Sequence, residues 1–333
     1  MPNLSREEAE ALVGNALIAS NVSPKNAASV ARALVAAEID GQAGHGLSRV
    51  GSYCAQAATG KVDGHASPMA QRAASAFFRI DAAHGFAYPA MELAIDEVAS
   101  AALETGIAAA SVTRSHHCGQ AGAHVEKLAE RGCVSMLFAN TPKAMAPWGG
   151  KAPIFGTNPI AFGTPQPDGA PLVIDLSLSK VARGKVMAAN KKGEPIPEGW
   201  ALDADGNDTT DPTAALAGSM VPMGDSKGAA LALMVELLAA GLGGAKFGNE
   251  AASFLSADGD APGTGQLLIA FNVSKVAGDA YLSRVGDLLG AMLGQDGVRL
   301  PGTKRLALRE TVARDGIDVS DAILAEIEAI VAG

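Results

Sequence analysis

An α/β fold is predicted by three features of this sequence. Helical periodicity with two capping signals fills the first forty or so residues, and after Pro68 short apolar segments alternate with alanine-rich helices. The third is a hydrophobic fraction of 48% against 18% charged residues, enough core over 333 residues for about two domains at roughly 150 residues each.

Each element follows in order. Ser5 with Glu8 spells a capping box, and Leu12, Ala16, Ala19 and Val22 recur at helical spacing. Ser23-Pro24 then supplies a cap and first-turn proline for a second helix through Ile39, so the chain opens on a helical hairpin. Ala76 to Ile80 and Ile107 to Val112 read as strands around a helix from Pro89 to Thr105. Gly122 to Arg131 continues as helix, and Val134 to Phe138 and Leu172 to Leu176 as strands bounded by Gly or Pro. Asn190 to Pro222 is a polar excursion rich in Gly, Pro, Asp and Thr. A buried helix from Gly228 to Leu242, a strand from Gln266 to Phe271 and amphipathic helices at Tyr281 to Leu293 and Asp321 to Val331 close the chain.

Composition excludes several functions. With 26 Lys+Arg against 35 Asp+Glu the net charge is −9, and the basic residues are scattered among acids, which argues against a nucleic-acid surface. No apolar run reaches the ~20 residues of a membrane span. Three cysteines, Cys54, Cys118 and Cys133, form no C-x-x-C pair, and the N-terminus lacks a basic region followed by an apolar one. A cytoplasmic protein with reduced thiols is expected.

A Rossmann turn requires G-x-G-x-x-G; Gly241/Gly243 and Gly263/Gly265 both lack the third glycine. Walker A, H-E-x-x-H and a serine nucleophile elbow are also absent. Histidine is scarce, and four of the six lie in two glycine-rich stretches: His45 within Gly41 to Arg49, and His116-His117 leading through Gly122 to His124. Imidazole exchanges protons near neutrality, and flanking glycines let a ligand approach the backbone. Arg49, four residues after His45, can offer a bidentate fork to a carboxylate. The seven-residue spacing of His117 and His124 lacks the i, i+4 pattern of zinc enzymes, so no metal is expected. A helix starting near Gly119 would aim its positive end at an anion, and Gly224 to Gly228 and Pro301 to Arg305 pair glycine with Lys or Arg as a phosphate contact wants.

Taken in order, these fragments resemble one family: the type-2 malate/L-lactate dehydrogenases, NAD(P)-dependent and distinct from Rossmann-type lactate dehydrogenases. Its marks are Asp40-Gly41 leading to His45-Gly46-Leu47, Arg49 and Tyr53; Ser115 to Gly119 with Gly122; Ala146 to Gly150; Phe155 to Pro159; Asp175-Leu176-Ser177; Ala182 to Lys185; Gly199-Trp200; Asp225 to Gly228; and Pro301-Gly302. The likeness covers nearly the whole chain. It implies a layered mixed-sheet α/β fold particular to the family, a homodimer, and NAD or NADP bound without a G-x-G-x-x-G loop. It also implies three segments: a helical substrate and dimer segment (1–75), a cofactor-binding α/β domain (76–255), and a C-terminal segment (256–333) packing back on the first.

Matched by motif, the resemblance assigns proton transfer to His45 or His117, two histidines competing for one role. Arg49 would hold the substrate carboxylate, with Tyr53, Thr157, Arg183, Gly184 and Lys185 around the substrate. His117, Cys118, Gly119, Gln120, Ala121, Thr141, Asp175, Leu176, Ser177, Ser226, Lys227, Gly302, Thr303, Lys304 and Arg305 would meet the cofactor. Members that reduce cyclic imines resemble a Ser-His-Asp relay, whereas here Gly44 precedes His45 and Lys185 follows Arg183-Gly184. Lys61 to Gly64, Lys185 to Met187 and Gly199 to Asp203 look like the sulfolactate dehydrogenase branch. The implied reaction is hydride exchange between a nicotinamide and a small anionic 2-hydroxy acid, sulfolactate or malate before lactate, with cyclic-imine reduction as the alternative and a metal hydrolase around His116, His117 and His124 as a remote one.

Overall fold

The computed structural model describes residues 2–333. From the N-terminus the elements are β1 (Asn3–Leu4), α1 (Arg6–Ala19), α2 (Pro24–Ile39), two 3-10 turns (Ala43–His45 and Leu47–Arg49) and α3 (Val50–Ala58). Next come β2 (Met69–Ala74), β3 (Phe77–Asp81), α4 (Ala87–Thr105), β4 (Ile107–Ser115), α5 (Ala121–Glu130), β5 (Cys133–Ala139), β6 (Ile160–Thr164) and β7 (Leu172–Leu176). Then α6 (Arg183–Lys192) runs into the polar excursion, which holds β8 (Ala201–Leu202), α7 (Pro212–Ala217) and β9 (Ser219–Met220). After α8 (Ser226–Val235) and a π-helical turn (Glu236–Gly241) follow β10 (Thr264–Asn272), α9 (Val273–Val276), α10 (Ala280–Leu293), α11 (Thr303–Asp315), β11 (Ile317–Asp318) and α12 (Asp321–Ala332).

A seven-stranded mixed sheet in the order β2-β3-β4-β10-β5-β6-β7 is the centre of the fold. Only β3 and β4 pair in parallel, joined by the crossover helix α4; the other pairings are antiparallel. The sheet draws β2 from the expected first segment and β10 from the expected third, so it spans all three.

Both faces of the sheet are covered. On one, Met91, Ile95 and Val98 of α4 and Val125 and Leu128 of α5 pack on Ile80, Val112, Leu137 and Leu268. Alanines 108 and 110 of β4 leave room for α4 to lie close, and each fully buried large side chain there contributes about 1.5–3 kcal/mol. On the other face, Phe138 and Leu267 meet Met145, Leu178, Val186 and Val235. Leu267 and Leu268 thus point to opposite sides, as pleating requires.

A separate core unites Val13 and Leu17 of α1, Val30 and Leu34 of α2, Val50 and Tyr53 of α3, and Ile327 of α12. Its N-terminal cap is the one read from the sequence: Ser5 Oγ accepts the Glu8 N–H while Glu8 receives the Ser5 N–H. β1 and β11 pair at its edge, with Asn3 donating to Asp318 at 3.0 Å.

Candidate active site

His45 is presented by the chain leaving α2. Gly41, at φ +73°, turns the backbone into the two 3-10 turns. Gly46 lies so close to α2 that a Cβ would collide with the Glu38 carboxylate and crowd its backbone. That carboxylate accepts the Leu47 N–H at 2.8 Å, and Arg49 Nε donates to the Gly44 carbonyl at 2.6 Å. The loop is therefore held from both sides, and α3 starts one residue after Arg49.

His117 arrives from the end of β4. Its Nε2 lies 3.0 Å from His45 Nδ1, the two rings nearly parallel with centroids 5.0 Å apart. Its Nδ1 lies 2.7 Å from the hydroxyl of Tyr53, a fully buried residue of α3, and that hydroxyl lies 3.2 Å from Tyr88 Oη on α4. A line of hydrogen bonds thus runs Tyr88–Tyr53–His117–His45. A neutral imidazole has one donor and one acceptor nitrogen, so this line has two self-consistent settings. In one, Tyr53 donates to His117 Nδ1, His117 Nε2–H donates to His45 Nδ1, and His45 carries its proton on Nε2. In the other every donor and acceptor is reversed and His45 Nε2 is an acceptor.

Electrostatics keeps the pair neutral. Burial, reinforced by Arg49, lowers His45 to about 4 and pushes His117 well below the ordinary imidazole range. Burial raises the Tyr53 hydroxyl to about 12. The remaining histidines serve other partners: His116 Nε2 bonds Gln56 Oε1 at 3.1 Å, and His124 Nε2 donates to the Cys118 carbonyl at 2.8 Å. Burial lowers these to about 3 and about 4. Among the described residues no three His, Cys, Asp or Glu side chains are grouped to hold a metal.

A cleft of about 380 Å³ brings together four separate stretches of the chain. Gln42 and Gln120, each three residues from one of the paired histidines, line it with Gly122, Asp175 and Leu176, and with Arg299, Gly302, Lys304 and Arg305 beyond. The Gly122 N–H at the start of α5 donates to Asp175 at 2.7 Å, and burial raises that carboxyl despite the contact. Gln120 gives its amide to Asp40 at 2.9 Å, but its buried carbonyl oxygen has no partner. Arg299 and Lys304 form no ion pair among the described residues. An unpaired carbonyl and two uncommitted cations suit a dinucleotide, so the cleft fits a nicotinamide cofactor.

Arg305 is differently engaged. Its guanidinium makes a fork–fork pair with Glu126, both bonds 3.0 Å, and lies 3.8 Å from Asp40. Arg309 binds the same two carboxylates, at 2.6 Å to Asp40 and 2.7 Å to Glu126. This four-charge cluster ties α11 to α2 and α5, and the Pro301-Gly302 turn rides on α11. Thr303 closes the turn by donating to the Leu300 carbonyl at 2.7 Å.

Thr157 and Thr141 meet across a second frame, with the Thr157 N–H donating to Thr141 Oγ1 at 3.0 Å. Beneath them the buried Glu236 carboxylate collects Asn140, Asn158 and the N–H groups of Gly156 and Gly248. Arg183 heads α6 and reaches the Lys143 carbonyl at 3.3 Å, with Gly184 beside it, while Lys185 Nζ sits 6.0 Å from the Trp200 ring. Ser177 bonds Ser179, and Ser226 and Lys227 begin α8. No hydrogen bond among the described residues joins these groups to the histidine pair. Sequence reasoning did not single out Tyr88, Gln56, Phe254, Glu126 or Arg309; Tyr88 lies just ahead of the helix read from Pro89, and Gln56 lies in a helix, Val50–Ala58, that was not read from the sequence.

Fold and site together mark a dehydrogenase class that binds its dinucleotide without a Rossmann turn. The chain belongs to the malate/L-lactate dehydrogenase family, whose model matches residues 4–328. It is 54% identical, over 98% of its length and 97% of the relative's, to a (2R)-3-sulfolactate dehydrogenase (NADP(+)) of Chromohalobacter salexigens. A Δ1-pyrroline-2-carboxylate reductase of Ancylobacter novellus is 38% identical over 98% of this chain and 97% of its own. Among solved structures, Δ1-piperideine-2-carboxylate reductase from Pseudomonas syringae superposes with TM-score 0.94 at 36% identity, covering 99% of this chain and 100% of that one. Sulfolactate dehydrogenase from Methanocaldococcus jannaschii gives TM-score 0.90 at 28% identity, covering 99% and 96%.

Proposed function

We propose that this protein is an NAD(P)-dependent dehydrogenase interconverting a 2-hydroxy acid and its 2-oxo acid, with 3-sulfolactate or malate favoured over lactate and NADP the favoured cofactor. The observation that carries the reading is the Tyr88–Tyr53–His117–His45 line, which ends on a neutral, partly exposed imidazole beside an arginine. When bound in the cleft, the nicotinamide supplies or accepts the hydride. Gln120, Asp175, Leu176, Gly302 and Lys304 would hold the cofactor, with Arg299 as a further cation at the cleft.

Arg49 binds the substrate carboxylate through its fork. His45 Nε2, in the setting where it is an acceptor, takes the hydroxyl proton in oxidation and returns it in reduction; the added proton stays on the histidine pair as one imidazolium until His45 Nε2 gives it up to water at its exposed side. His117 therefore relays rather than competes: it supplies the nitrogen against which His45 shifts its Nδ1 proton, and Tyr53 fixes its tautomer. Arg183 and Lys185 are assigned to the substrate's second anion.

Cyclic-imine reduction is the second reading, favoured by the 38% identical reductase. Gly44 and Lys185 stand where those enzymes resemble a serine and an aspartate, which favours the hydroxy acid. A homodimer is supported by Leu231, Leu233, Met234, Leu237 and Leu242, exposed along α8 and the π-turn, a face that a second copy would cover. Three free, buried cysteines agree with a cytoplasmic location, and no helix among the described residues is long and apolar enough to cross a membrane. Turnover of sulfopyruvate, oxaloacetate, pyruvate and Δ1-pyrroline-2-carboxylate with NADH and with NADPH tests the assignment. Fastest turnover of the cyclic imine would transfer it to the second reading.

A further inference from the structure

Behind the histidine pair lies an interaction that the reaction itself does not use. Lys61, just past α3, is buried, and its ammonium donates to three backbone carbonyls of one irregular segment: Ser253 at 2.9 Å, Ser256 at 2.8 Å and Asp258 at 2.8 Å. All three ammonium protons are thereby used. Thr59 Oγ1 donates to the Ala257 carbonyl at 3.0 Å, and Gln56 Nε2 to the Phe254 carbonyl at 2.8 Å. One helix end thus grips residues 253–258 at five backbone carbonyls.

The gripped segment carries Phe254, whose ring centroid lies 5.1 Å from that of His116 and 5.4 Å from that of His117. Phe254 is buried and offers no polar atom, so its service to His117 is to exclude water. An unpaired buried cation costs several kcal/mol, and a lysine committed to three carbonyls holds its segment with far less slack than one neutral contact.

We propose that Lys61 is a positioning residue for the proton relay: its three-carbonyl grip holds Phe254 against His117 and keeps that imidazole dry and neutral. This rests on the reading of His117 as part of the relay. Other groups facing His117 also set its protonation: His45 and Arg49 from the two 3-10 turns, Tyr53 from the middle of α3, Tyr88 of α4 through Tyr53, and the adjacent His116 and Cys118. Lys61 acts on the remaining side, through an apolar wall.

The test is a double-mutant cycle of Lys61→Met and Phe254→Leu, read by NMR titration of the histidine ring protons and by the acidic limb of kcat/KM for hydroxy-acid oxidation. Each single variant is expected to move the His117 titration and the limb upward by about one pH unit, as water regains access. The double variant should move them no further. Thr59→Val, which removes only one of the five contacts, should shift them the same way by less. A lowered melting temperature with an unmoved titration, or shifts that add in the double variant, overturns the proposal; if Lys61→Met does not fold, Thr59→Val and Phe254→Leu carry the same comparison. The NMR titration needs no turnover, so a wild type inactive on every 2-hydroxy acid refutes the proposed reaction without touching this result.

Discussion

Replacing Tyr53 with phenylalanine removes one oxygen from the middle of the hydrogen-bond line and leaves the ring's volume in place. That oxygen serves His117 Nδ1 at 2.7 Å and Tyr88 Oη at 3.2 Å, and the residue has no solvent exposure through which water could replace it. Two buried polar atoms are then stranded at about 1–3 kcal/mol each, so a loss near 3 kcal/mol is expected. At about 2.1 cal/mol/K per residue the unfolding entropy of a chain this size is about 0.7 kcal/mol/K, which converts the loss to a drop of about 4 °C in melting temperature. The kinetic effect is larger. With no hydroxyl to set its tautomer, His117 no longer couples to His45, and kcat should fall about 10²-fold at saturating acid and cofactor while KM changes little. Initial rates and thermal scans on Tyr53→Phe, with Tyr88→Phe as comparator, measure both. Tyr88 ends the line, so its variant should lose stability but keep most of kcat. A Tyr53→Phe enzyme with full kcat and only a lower melting temperature would refute the relay.

Three further outcomes are expected. His45→Ala should lower kcat by about 10²-fold or more and erase a limb of the pH profile, and His117→Ala should do likewise less completely; unchanged profiles in both would exclude either as the proton carrier. Folding stability should fall in acid: His45 and His124 titrate near 4 and His116 near 3 in the fold, against about 6.5 unfolded. The unfolded chain therefore binds protons that the folded one refuses. The stability they contribute is complete above about pH 6.5 and lost on the way down to pH 4 and below, at up to about 1.4 kcal/mol per pH unit for each histidine. Urea unfolding from pH 8 to pH 4.5 checks this, and a flat series would contradict it. Finally, Lys185→Met should cost sulfolactate and malate roughly tenfold to a hundredfold in kcat/KM and spare lactate; an equal effect on all three would remove Lys185 from the distal-anion site.

Local signals account for what was legible in the sequence. The Ser5–Glu8 box and the Ser23-Pro24 start act within one turn of chain, and both helices begin where those residues place them. The strand from Leu172 to Leu176 has the bounds its flanking residues suggest. β2 was missed because all six of its residues are exposed and no apolar alternation marks it. α11 is charged on every side, so Pro301 to Arg305 reads as a phosphate loop, whereas Arg305 and Arg309 spend their charge on Asp40 and Glu126 from far away in sequence. Gly228 to Leu242 reads as one helix; at Glu236 its hydrogen-bond ladder slips into a π-turn, with the buried carboxylate drawing four donors from three loops. The histidines were recognisable by type and by their glycines. Their contact depends on β4 delivering His117 beside a turn 72 residues earlier, a fact of topology rather than of any local pattern.

The position of β10 has a consequence for how this chain comes into being. As it leaves the ribosome, β2, β3 and β4 can associate, and so can β5, β6 and β7, but each set ends on an unsatisfied backbone edge, at β4 and at β5. Only when residues 264–272 emerge does a strand exist that pairs Leu268 with Ala110 on one side and Leu137 on the other. For most of its synthesis the nascent protein is two half-sheets with sticky margins, the condition that recruits chaperones and invites pairing with neighbouring chains. Proteolytic nicking before β10 would likewise not trim a tail but draw the keystone from between two halves that have no other means of meeting edge to edge.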